Sequence, residues 1–585
     1  MADFPNPQQD PGTERRLLLV FVLTFLVILL FQPLLKKYLP HQEAPAKPKQ
    51  VQSQAAQAPA ASTPAPSAAA AAQPKSVAPA AAEQASSESE TVIENDLYRI
   101  TFSNRGAQVK SWVLKKYDDE QGKPLELVND PAAAKYGYPL SLWTYDEGLR
   151  RKLNSVLYVA SASGHMTAPS EISFQYADQD LVVRKAFRFD HSYVVHVETS
   201  VQMKGSPVDA YPAWPSGFGG ESTIAGYHST QIEYQNNSDT QRLAIKKISG
   251  GATLTGPYDW AGVTDLYFAA VFLPENPQDV RLITLRNPLD VPKDPSNPSE
   301  TTQVDVLGTA MGAPAGVTEE RLFVGPKSLK VLEAVTVPTI QGAEHDLRGL
   351  VDFGFFGLIA RALFVWLQWT HKYVPNWGWA IVVQTFIITI ALLPLRISQM
   401  KSALKMQKAA PQIKAIQEKY KKYSMRDPRK QQMNQEISEL YKREGVNPIG
   451  GCLPLVIQIP FIWAFYKMLA VSIDLRHAHW LWIHDLSARD PYFLLPIAMV
   501  VSMFLIQRIT PQAGMDPAQQ KMMNVMMPLM MGFFFFNLAA GLNLYYMESN
   551  LISVAQQAIM NRTGLGREMR EMAEKRARKS KDKNK

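Results

Sequence analysis

Cysteine is nearly absent from this chain of 585 residues, which contains a single one, Cys452, within an apolar run. One cysteine cannot form an intrachain disulfide, and it cannot by itself build a zinc or iron–sulfur site. The sequence therefore argues against redox chemistry, and we expect no cofactor and no bound metal.

Recognisable catalytic arrangements are also missing. Residues 91–337 contain scattered histidines, but no carboxylate pair, Ser/His/Asp set or metal-ligand spacing supports them. No nucleotide-binding loop is apparent elsewhere in the chain. The sequence favours a structural or docking role for this region, and a protein that is not an enzyme.

Aromatic and branched apolar residues are scarce in residues 40–90, which are rich in Ala, Pro, Gln and Ser. Such a composition cannot bury enough apolar surface to offset the entropy of ordering, so we interpret residues 36–90 as a linker. The linker follows a short N-terminal segment, 1–16, and an apolar run, 17–35. Because prolines surround the one nearby A-x-A sequence, we predict that residues 17–35 form an uncleaved transmembrane signal anchor.

Short alternating runs such as YRITF and VKSWVL begin at Thr91, with Gly, Pro, Asn and Asp between them. Alternation with a period of two predicts β-strands, and its repetition to about Val337 predicts an antiparallel β-sandwich. We assign residues 91–345 to this outer, all-β domain.

Residues 350–370 are nearly apolar enough to span a membrane, but Arg361 stands at their centre. Only a few residues separate them from the next apolar run, which is a tight connection for two antiparallel spans. The pattern therefore favours an amphipathic helix along the membrane surface, with a true span as the alternative.

The next run, residues 377–395, has 19 residues, about enough for a helix to cross a hydrocarbon core of roughly 30 Å. It leads directly into a basic segment, and we treat the two as one continuous helix. Turning each residue by about 100° then places Thr385, Thr389 and Arg396 within about 40° of one another. This predicts a polar stripe on a membrane helix.

Positive charge is concentrated in two segments. Residues 396–446 hold 13 Lys and Arg against 5 Asp and Glu, and residues 562–585 hold 10 against 4. Both segments follow apolar runs, so cytoplasmic placement under the positive-inside rule is favoured over nucleic-acid binding.

Residues 396–446 are expected to form a cytoplasmic helical hairpin. Asp427 followed by Pro428 suits the start of its second arm, and Gly445 suits its end. The tip is a candidate docking surface for a ribosome, a translocase or anionic lipid, and its basic residues are Lys421, Lys422, Arg429 and Lys430.

Four further apolar segments are predicted to be transmembrane helices: 449–470, 491–509, 522–538 and 541–560. With 17–35 and 377–395 they give six spans. This number places both termini, the hairpin and the basic tail 561–585 in the cytoplasm, and the β domain outside. The outer loop, 471–490, interleaves histidines with tryptophans, which indicates an interfacial belt rather than a metal site.

Polar residues inside the last span require an explanation, because they cost free energy in a bilayer. Asn543, Asn550 and Gln557 recur every seven residues and form a stripe, whereas Glu548 lies about 140° from Asn543. Hydrogen bonding between helices would explain them without further function. The functional alternatives are a site for a transported solute and a groove that accepts polypeptide, and the absence of a convincing internal repeat favours the groove.

Several segments resemble the YidC family of membrane protein insertases, whose bacterial members carry a large outer domain. The matching segments are ENDLYRITFSNRGAQVKSWVLKKY (94–117), NWGWAIVVQTFIITIALLPL (376–395), KMQKAAPQIKAIQEKY (405–420), GVNPIGGCLPLVIQIP (445–460), LWIHDLSARDPYFLLP (481–496) and GLNLYYMESNLISVAQQ (541–557). The resemblance implies an inner-membrane insertase and chaperone, with five helices around a hydrophilic groove and an outer β-supersandwich domain.

The resemblance also implies partners: nascent membrane proteins, the Sec translocase with its accessory subunits, the ribosome and membrane lipids. The competing interpretation is an ion-coupled small-solute transporter with an outer sensing domain.

The family's groove positions fall on Thr385, Tyr545 and Tyr546, but the groove arginine of most members falls on Thr389. Our hypothesis is that Arg396 partly replaces that arginine from the cytoplasmic mouth. The candidate substrate groove comprises Thr385, Thr389, Arg396, Asn543, Tyr545, Tyr546 and Asn550.

The orientation makes a testable prediction. Protease added to spheroplasts should cut within residues 91–337 and leave the hairpin 396–446 intact until the membrane is opened. Immunoblotting for a C-terminal tag would follow the fragments, and cleavage of the hairpin from outside would contradict the proposed orientation.

Overall fold

The computed structural model describes residues 83–219, 224–237, 239–243, 245–294, 297–314, 316–338, 344–420, 422–423, 427–445, 453–509, 522–564, 567–568 and 571. The predicted N-terminal segment, the signal anchor 17–35, most of the linker, Lys421 and nearly all of the basic tail lie outside the described residues.

The predicted β domain is confirmed, and its largest sheet has ten strands among the described residues, in the order β14-β13-β16-β17-β20-β10-β9-β8-β6 with β11 beside β10. Its members are β6 (Val159–Ala160), β8 (Ser170–Ala177), β9 (Leu181–Phe189), β10 (Val194–Met203), β11 (Ser206–Pro207), β13 (Gln231–Asn236), β14 (Asp239–Leu243), β16 (Trp260–Thr264), β17 (Phe268–Pro274) and β20 (Thr318–Pro326).

Two five-stranded sheets pack against the large one. The first has the order β4-β3-β2-β1-β7 and the second β15-β18-β19-β12-β5. The strands are β1 (Glu90–Glu94), β2 (Tyr98–Ser103), β3 (Gln108–Asp118), β4 (Pro124–Glu126), β5 (Ser141–Trp143), β7 (Gly164–Thr167), β12 (Tyr211–Trp214), β15 (Ala252–Thr255), β18 (Arg281–Asp294) and β19 (Asn297–Gly312). Phe102 on β2 stacks on Phe174 of the large sheet at 5.7 Å, and β19 contacts β13, β16 and β20.

Smaller elements complete the domain. A two-stranded sheet pairs β21 (Thr336–Pro338) with β22 (Glu344–Asp346). The short helices are α1 (Asp130–Tyr136), α2 (Glu147–Ser155), α3 (Ile224–Ser229) and α4 (Leu329–Glu333).

The expectation of a wholly antiparallel domain is wrong at one edge. Strands β1 and β7 pair in parallel, with Thr91 opposite Gly164 and Glu94 opposite Thr167. Parallel neighbours need a long crossover, which the intervening β2–β6 chain supplies. Alternation of apolar and polar residues with a period of two predicts which face of the sheet a residue occupies. It does not predict whether the neighbouring strand runs parallel or antiparallel.

A buried lysine joins three backbone carbonyls in the domain core. Lys185 on β9 has no exposed surface, and its Nζ donates to the carbonyls of Gly106, Ala107 and Leu140 at 3.0, 2.5 and 2.7 Å. Ala107 and Leu140 have φ angles of 46° and 62°, a left-handed conformation that non-glycine residues adopt at a cost. Lys185 thus stabilises two strained turns at once.

The helical part begins with α5 (Gly357–Tyr373) and α6 (Trp377–Ala391). It continues with α7 (Leu393–Lys419), α8 (Arg429–Arg443), α9 (Leu453–Val471), α10 (Leu494–Ile509), a π-helical turn (Met522–Met526), α11 (Met527–Phe535) and α12 (Ala540–Arg562). Among the described residues, no unbroken helix has both the length and the apolar character needed to cross a membrane, although α5 and α6 meet that requirement as a pair bent by 119°.

The prediction of one continuous helix through the apolar run and the basic segment is wrong at Leu392. Helix α6 ends at Ala391, and α7 begins at Leu393 with Pro394 in its first turn. Proline has no N–H to donate, so it interrupts the hydrogen-bond ladder of a helix and suits the start of a new one.

The predicted hairpin is formed by α7 and α8. Lys419 Nζ and the Tyr420 hydroxyl both contact Glu436 Oε1, at 2.8 and 2.7 Å. Asp427 Oδ1 accepts from the Arg429 backbone N–H at 2.9 Å, so the second arm begins one residue after the proline. Gly445 follows that arm with a φ of 58°, as expected for a helix-terminating glycine.

The loop after α9 docks the helices onto the β domain. The Arg476 side chain is nearly buried and donates to the Asp118 carbonyl at 2.7 Å. Its guanidinium lies 5.9 Å from the Tyr267 ring centre and 5.7 Å from that of Phe268, within range of a cation–π interaction.

We predict that Lys185→Met lowers the free energy of unfolding by about 2–5 kcal/mol, because the buried carbonyls lose their donor, which is the ammonium form to all three or the neutral amine to two of them. Burial lowers the pKa of Lys185 to about 7 from 10.5. Between these values the unfolded chain binds more protons than the folded one, so wild-type stability relative to Lys185→Met should rise with pH. Denaturant titration of the purified protein measures both effects. The exposed Lys116→Met is the matched control, and an equal loss in both variants would contradict the assignment.

Candidate functional site

Helix α12 carries polar side chains on two opposite faces. A turn of about 100° per residue places Asn543 and Asn550 together, and Tyr545, Glu548 and Gln556 within about 80° of one another on the far side. Helix α12 packs against α6, α9 and α10. Each polar face therefore meets a different set of helices.

The asparagine face ties α12 to α10 and α11. Asn543 Nδ2 donates to the carbonyls of Phe535 and Leu538, at 3.1 and 3.2 Å, and so closes the C-terminal end of α11. Asn550 Nδ2 donates to the Ser502 hydroxyl on α10 at 3.1 Å. Asn543 and Asn550, both candidate groove residues, thus form hydrogen bonds between helices. This is the alternative explanation, without further function, that the sequence left open.

The opposite face meets α6 along what we name the polar seam: Thr385, Thr389, Glu548 and Gln556. The Glu548 carboxyl group contacts the Thr385 hydroxyl, and Gln556 Nε2 donates to the Thr389 carbonyl at 3.3 Å. Both threonines are almost fully buried. The seam therefore runs for more than one helical turn between two largely apolar helices.

Aromatic rings border the seam. Tyr545 stacks on Phe465 of α9, with ring centres 4.0 Å apart, while Tyr546 meets Phe535 of α11 edge-on at 4.6 Å. The Arg396 guanidinium, at the start of α7, interacts electrostatically with the Tyr545 hydroxyl. Arg396 lies in the first turn of α7, the helix that leads to the hairpin, and Tyr546 lies beside the asparagine face.

Hydrogen bonding at the seam is unbalanced. Thr385 and Thr389 donate their hydroxyl protons to carbonyls one turn back in α6, each at 2.7 Å. Two buried oxygens of the seam, Glu548 Oε2 and Gln556 Oε1, have no hydrogen-bond partner in the described part of the chain. An unpaired buried polar group costs about 1–3 kcal/mol. A hydrogen bond from water or from an incoming donor would therefore stabilise these oxygens.

The basic hairpin tip is exposed. Lys422 and Arg429 face solvent, and the Arg429 guanidinium lies 4.6 Å from the Tyr423 ring centre. Lys430 is half-buried in the first turn of α8. One cationic group of this tip thus lies over an aromatic ring.

The outer-loop histidines do not form a metal centre in the structure. Nδ1 of His479 lies 3.4 Å from Nδ1 of His484, whereas His477 Nε2 lies 3.8 Å from Glu120. Within the described ranges, no three His, Cys, Asp or Glu side chains are grouped so that they could hold a metal ion.

A cavity of about 320 Å³ lies on the β domain, and its lining includes Glu171, Arg188, His196, Glu198 and Glu319. Glu198 and Glu319 are directly opposite each other on β10 and β20, an arrangement of like charges that destabilises a sheet. An acidic lining does not by itself identify a ligand, so the seam remains the candidate site.

Four of the seven predicted groove residues, Thr385, Thr389, Arg396 and Tyr545, lie along one side of α12. Glu548 and Gln556, which are not among the predicted groove residues, face the same side. The signal that could have found them is the second polar face of α12, about 180° from the asparagine stripe.

Comparison with known proteins gives two family matches. The family described as the 60Kd inner membrane protein matches residues 369–567, and the YidC periplasmic domain matches residues 90–366. Together they cover both the helices and the β domain.

Curated relatives match along most of their length. The membrane protein insertase YidC of Bordetella avium (strain 197N) is 32% identical over 492 residues, which are 81% of this chain and 83% of the relative. That of Geobacter sp. (strain M21) is 30% identical and covers 81% and 86%. Among solved structures, an active YidC insertase with its first transmembrane domain resolved covers 83% of this chain and 95% of its own, at 20% identity and a TM-score of 0.33.

The asparagine face makes a prediction about coupling. Asn550→Ala and Ser502→Ala should be non-additive, with an interaction energy of roughly 0.6–2 kcal/mol, because each removes the same hydrogen bond. Unfolding in a mixed detergent series would measure it. Gln556→Ala combined with Ser502→Ala is the control and should be additive, since these residues lie on opposite faces. Additivity in both pairs would contradict the assignment.

Proposed function

The chain belongs to the YidC family of membrane protein insertases, and on that basis we propose that it inserts integral proteins into the inner membrane through the polar seam. The seam would hold the polar flank of a nascent segment while the apolar part of that segment moves into lipid. No covalent bond is made or broken in such a step, so we assign no enzymatic activity.

The proposal is supported chiefly by two buried oxygens between α6 and α12, Glu548 Oε2 and Gln556 Oε1, which have no hydrogen-bond partner among the described residues. In hydrocarbon, such groups are costly unless water or another donor reaches them. A seam that draws in water would shorten the apolar barrier that a polar flank has to cross. Transfer of the apolar span to lipid then drives the step, at about 25 cal/mol per Å² of buried apolar surface.

We place six spans in the membrane: 17–35, 377–395, 449–470, 491–509, 522–538 and 541–560. Both termini and the basic hairpin lie in the cytoplasm, and the β domain lies in the periplasm. The support is the distribution of Lys and Arg, which follows the positive-inside rule. Helix α5 would lie along the outer membrane surface, since it makes a bend of 119° with α6.

The partners are proposed from position and charge. Nascent membrane proteins are the substrates. The hairpin tip, with Lys421, Lys422, Arg429 and Lys430, would meet the ribosome or anionic lipid headgroups, because clustered cations favour both. The β domain would contact accessory subunits of the Sec translocase from outside.

Thr389 gives this seam no fixed cation at its centre. Arg396 would act instead at the cytoplasmic mouth, because it lies in the first turn of α7, directly after α6 ends. It would attract acidic residues as they approach rather than after they have entered.

Proteoliposomes that contain only this chain provide the test. We expect them to insert a short single-span protein made in a cell-free system, so that its outer tail becomes protected from added protease. Empty liposomes are the control. Saturable flux of a small solute without insertion would replace the proposal with the transporter alternative.

A further inference from the structure

Within the described part of the chain, the polar seam has acceptors without a partner but few donors without one. The Thr385 and Thr389 hydroxyls already donate within α6, and the Gln556 amide nitrogen donates to a backbone carbonyl. The buried oxygens left over are Glu548 Oε2 and Gln556 Oε1. A polar group that enters the seam gains hydrogen bonds chiefly by donating them.

Glu548 adds a carboxyl group deep in the helix bundle. It lies about 12 Å from the start of the 23-residue helix α12. A cation that enters about 4 Å away would favour the ionised form of this carboxyl group, and the resulting pair interacts several-fold more strongly in such surroundings than in bulk water. A lysine or arginine at this depth is therefore favoured by charge and by hydrogen bonding, whereas a carboxylate is opposed by both.

Arg396 does not pair with Glu548 among the described residues. It lies in the first turn of α7, eleven residues beyond Thr385 in the sequence. Its electrostatic interaction is with Tyr545, whereas the Glu548 carboxyl group contacts Thr385. The guanidinium and the carboxyl group therefore have different partners.

We propose that Glu548 is a specificity-determining residue, and that the seam favours nascent segments with a lysine or arginine in the polar flank at its depth over segments with aspartate or glutamate there. The inference rests on the proposed function, because it names the substrate class of the same site.

The experiment uses proteoliposomes of phosphatidylethanolamine and phosphatidylglycerol without a membrane potential, so that no field acts on the tail charge. Three single-span reporters differ at one position in the middle of the outer tail, which is Asn, Lys or Asp. The wild type should insert the Lys reporter roughly five- to tenfold better than the Asp reporter. Equal insertion of the two would overturn the inference.

Variants then assign the preference to Glu548. Glu548→Gln keeps an acceptor but loses the charge, so the Lys-to-Asp ratio should fall towards one, whereas Glu548→Asp should keep a ratio above one. Thr389→Arg places a cation on the facing wall and should reverse the ratio. The matched control is Glu439→Gln, an exposed carboxylate on α8, which should leave the ratio unchanged.

The outcomes separate the two proposals. Failure to insert the Asn reporter overturns the proposed function itself. Insertion of the Asn reporter with an unchanged ratio in Glu548→Gln overturns only the role of Glu548. If the Glu548→Gln variant cannot be reconstituted into liposomes, the Thr389→Arg variant provides the test. An undiminished preference of that variant for the Lys reporter would also overturn the role of Glu548.

Discussion

Polar groups placed among apolar helices need partners, and helix α12 carries such groups on two faces. The amide nitrogens of Asn543 and Asn550 bond to α11 and α10. Among the described residues, Asn543 Oδ1 on this face and oxygens of Glu548 and Gln556 on the opposite face have no hydrogen-bond partner. The amide hydrogen bonds fix the position of α12, and this allows the face toward α6 to remain available without loosening the bundle.

Much of this arrangement could be predicted from the sequence, because its strongest signals are local. The apolar runs predicted α6 and α9 to α12 with ends within a few residues of those observed, and alternating runs predicted the β domain. The helix break at Leu392 was missed, although Pro394 marks it. The substitution at Thr389 needed only the family resemblance.

The rest depended on partners that are distant in sequence. Nothing near Lys185 predicts that its amino group joins three carbonyls, since Gly106 and Leu140 come from other segments. The parallel pairing of β1 with β7 likewise depends on the path of the chain between them. The position of Glu548 in the seam could not be predicted either. A helical wheel gives the angle between residues on α12, but it does not show which neighbouring helix each face contacts.

The docking of the β domain has a consequence for how the two parts can diverge. Arg476 donates to the Asp118 carbonyl, a main-chain oxygen that every amino acid supplies, and packs near the rings of Tyr267 and Phe268. Substitution at position 118 therefore leaves the hydrogen bond in place. The outer domain can drift in sequence, and so acquire new surface chemistry, while its attachment to the helices is inherited unchanged.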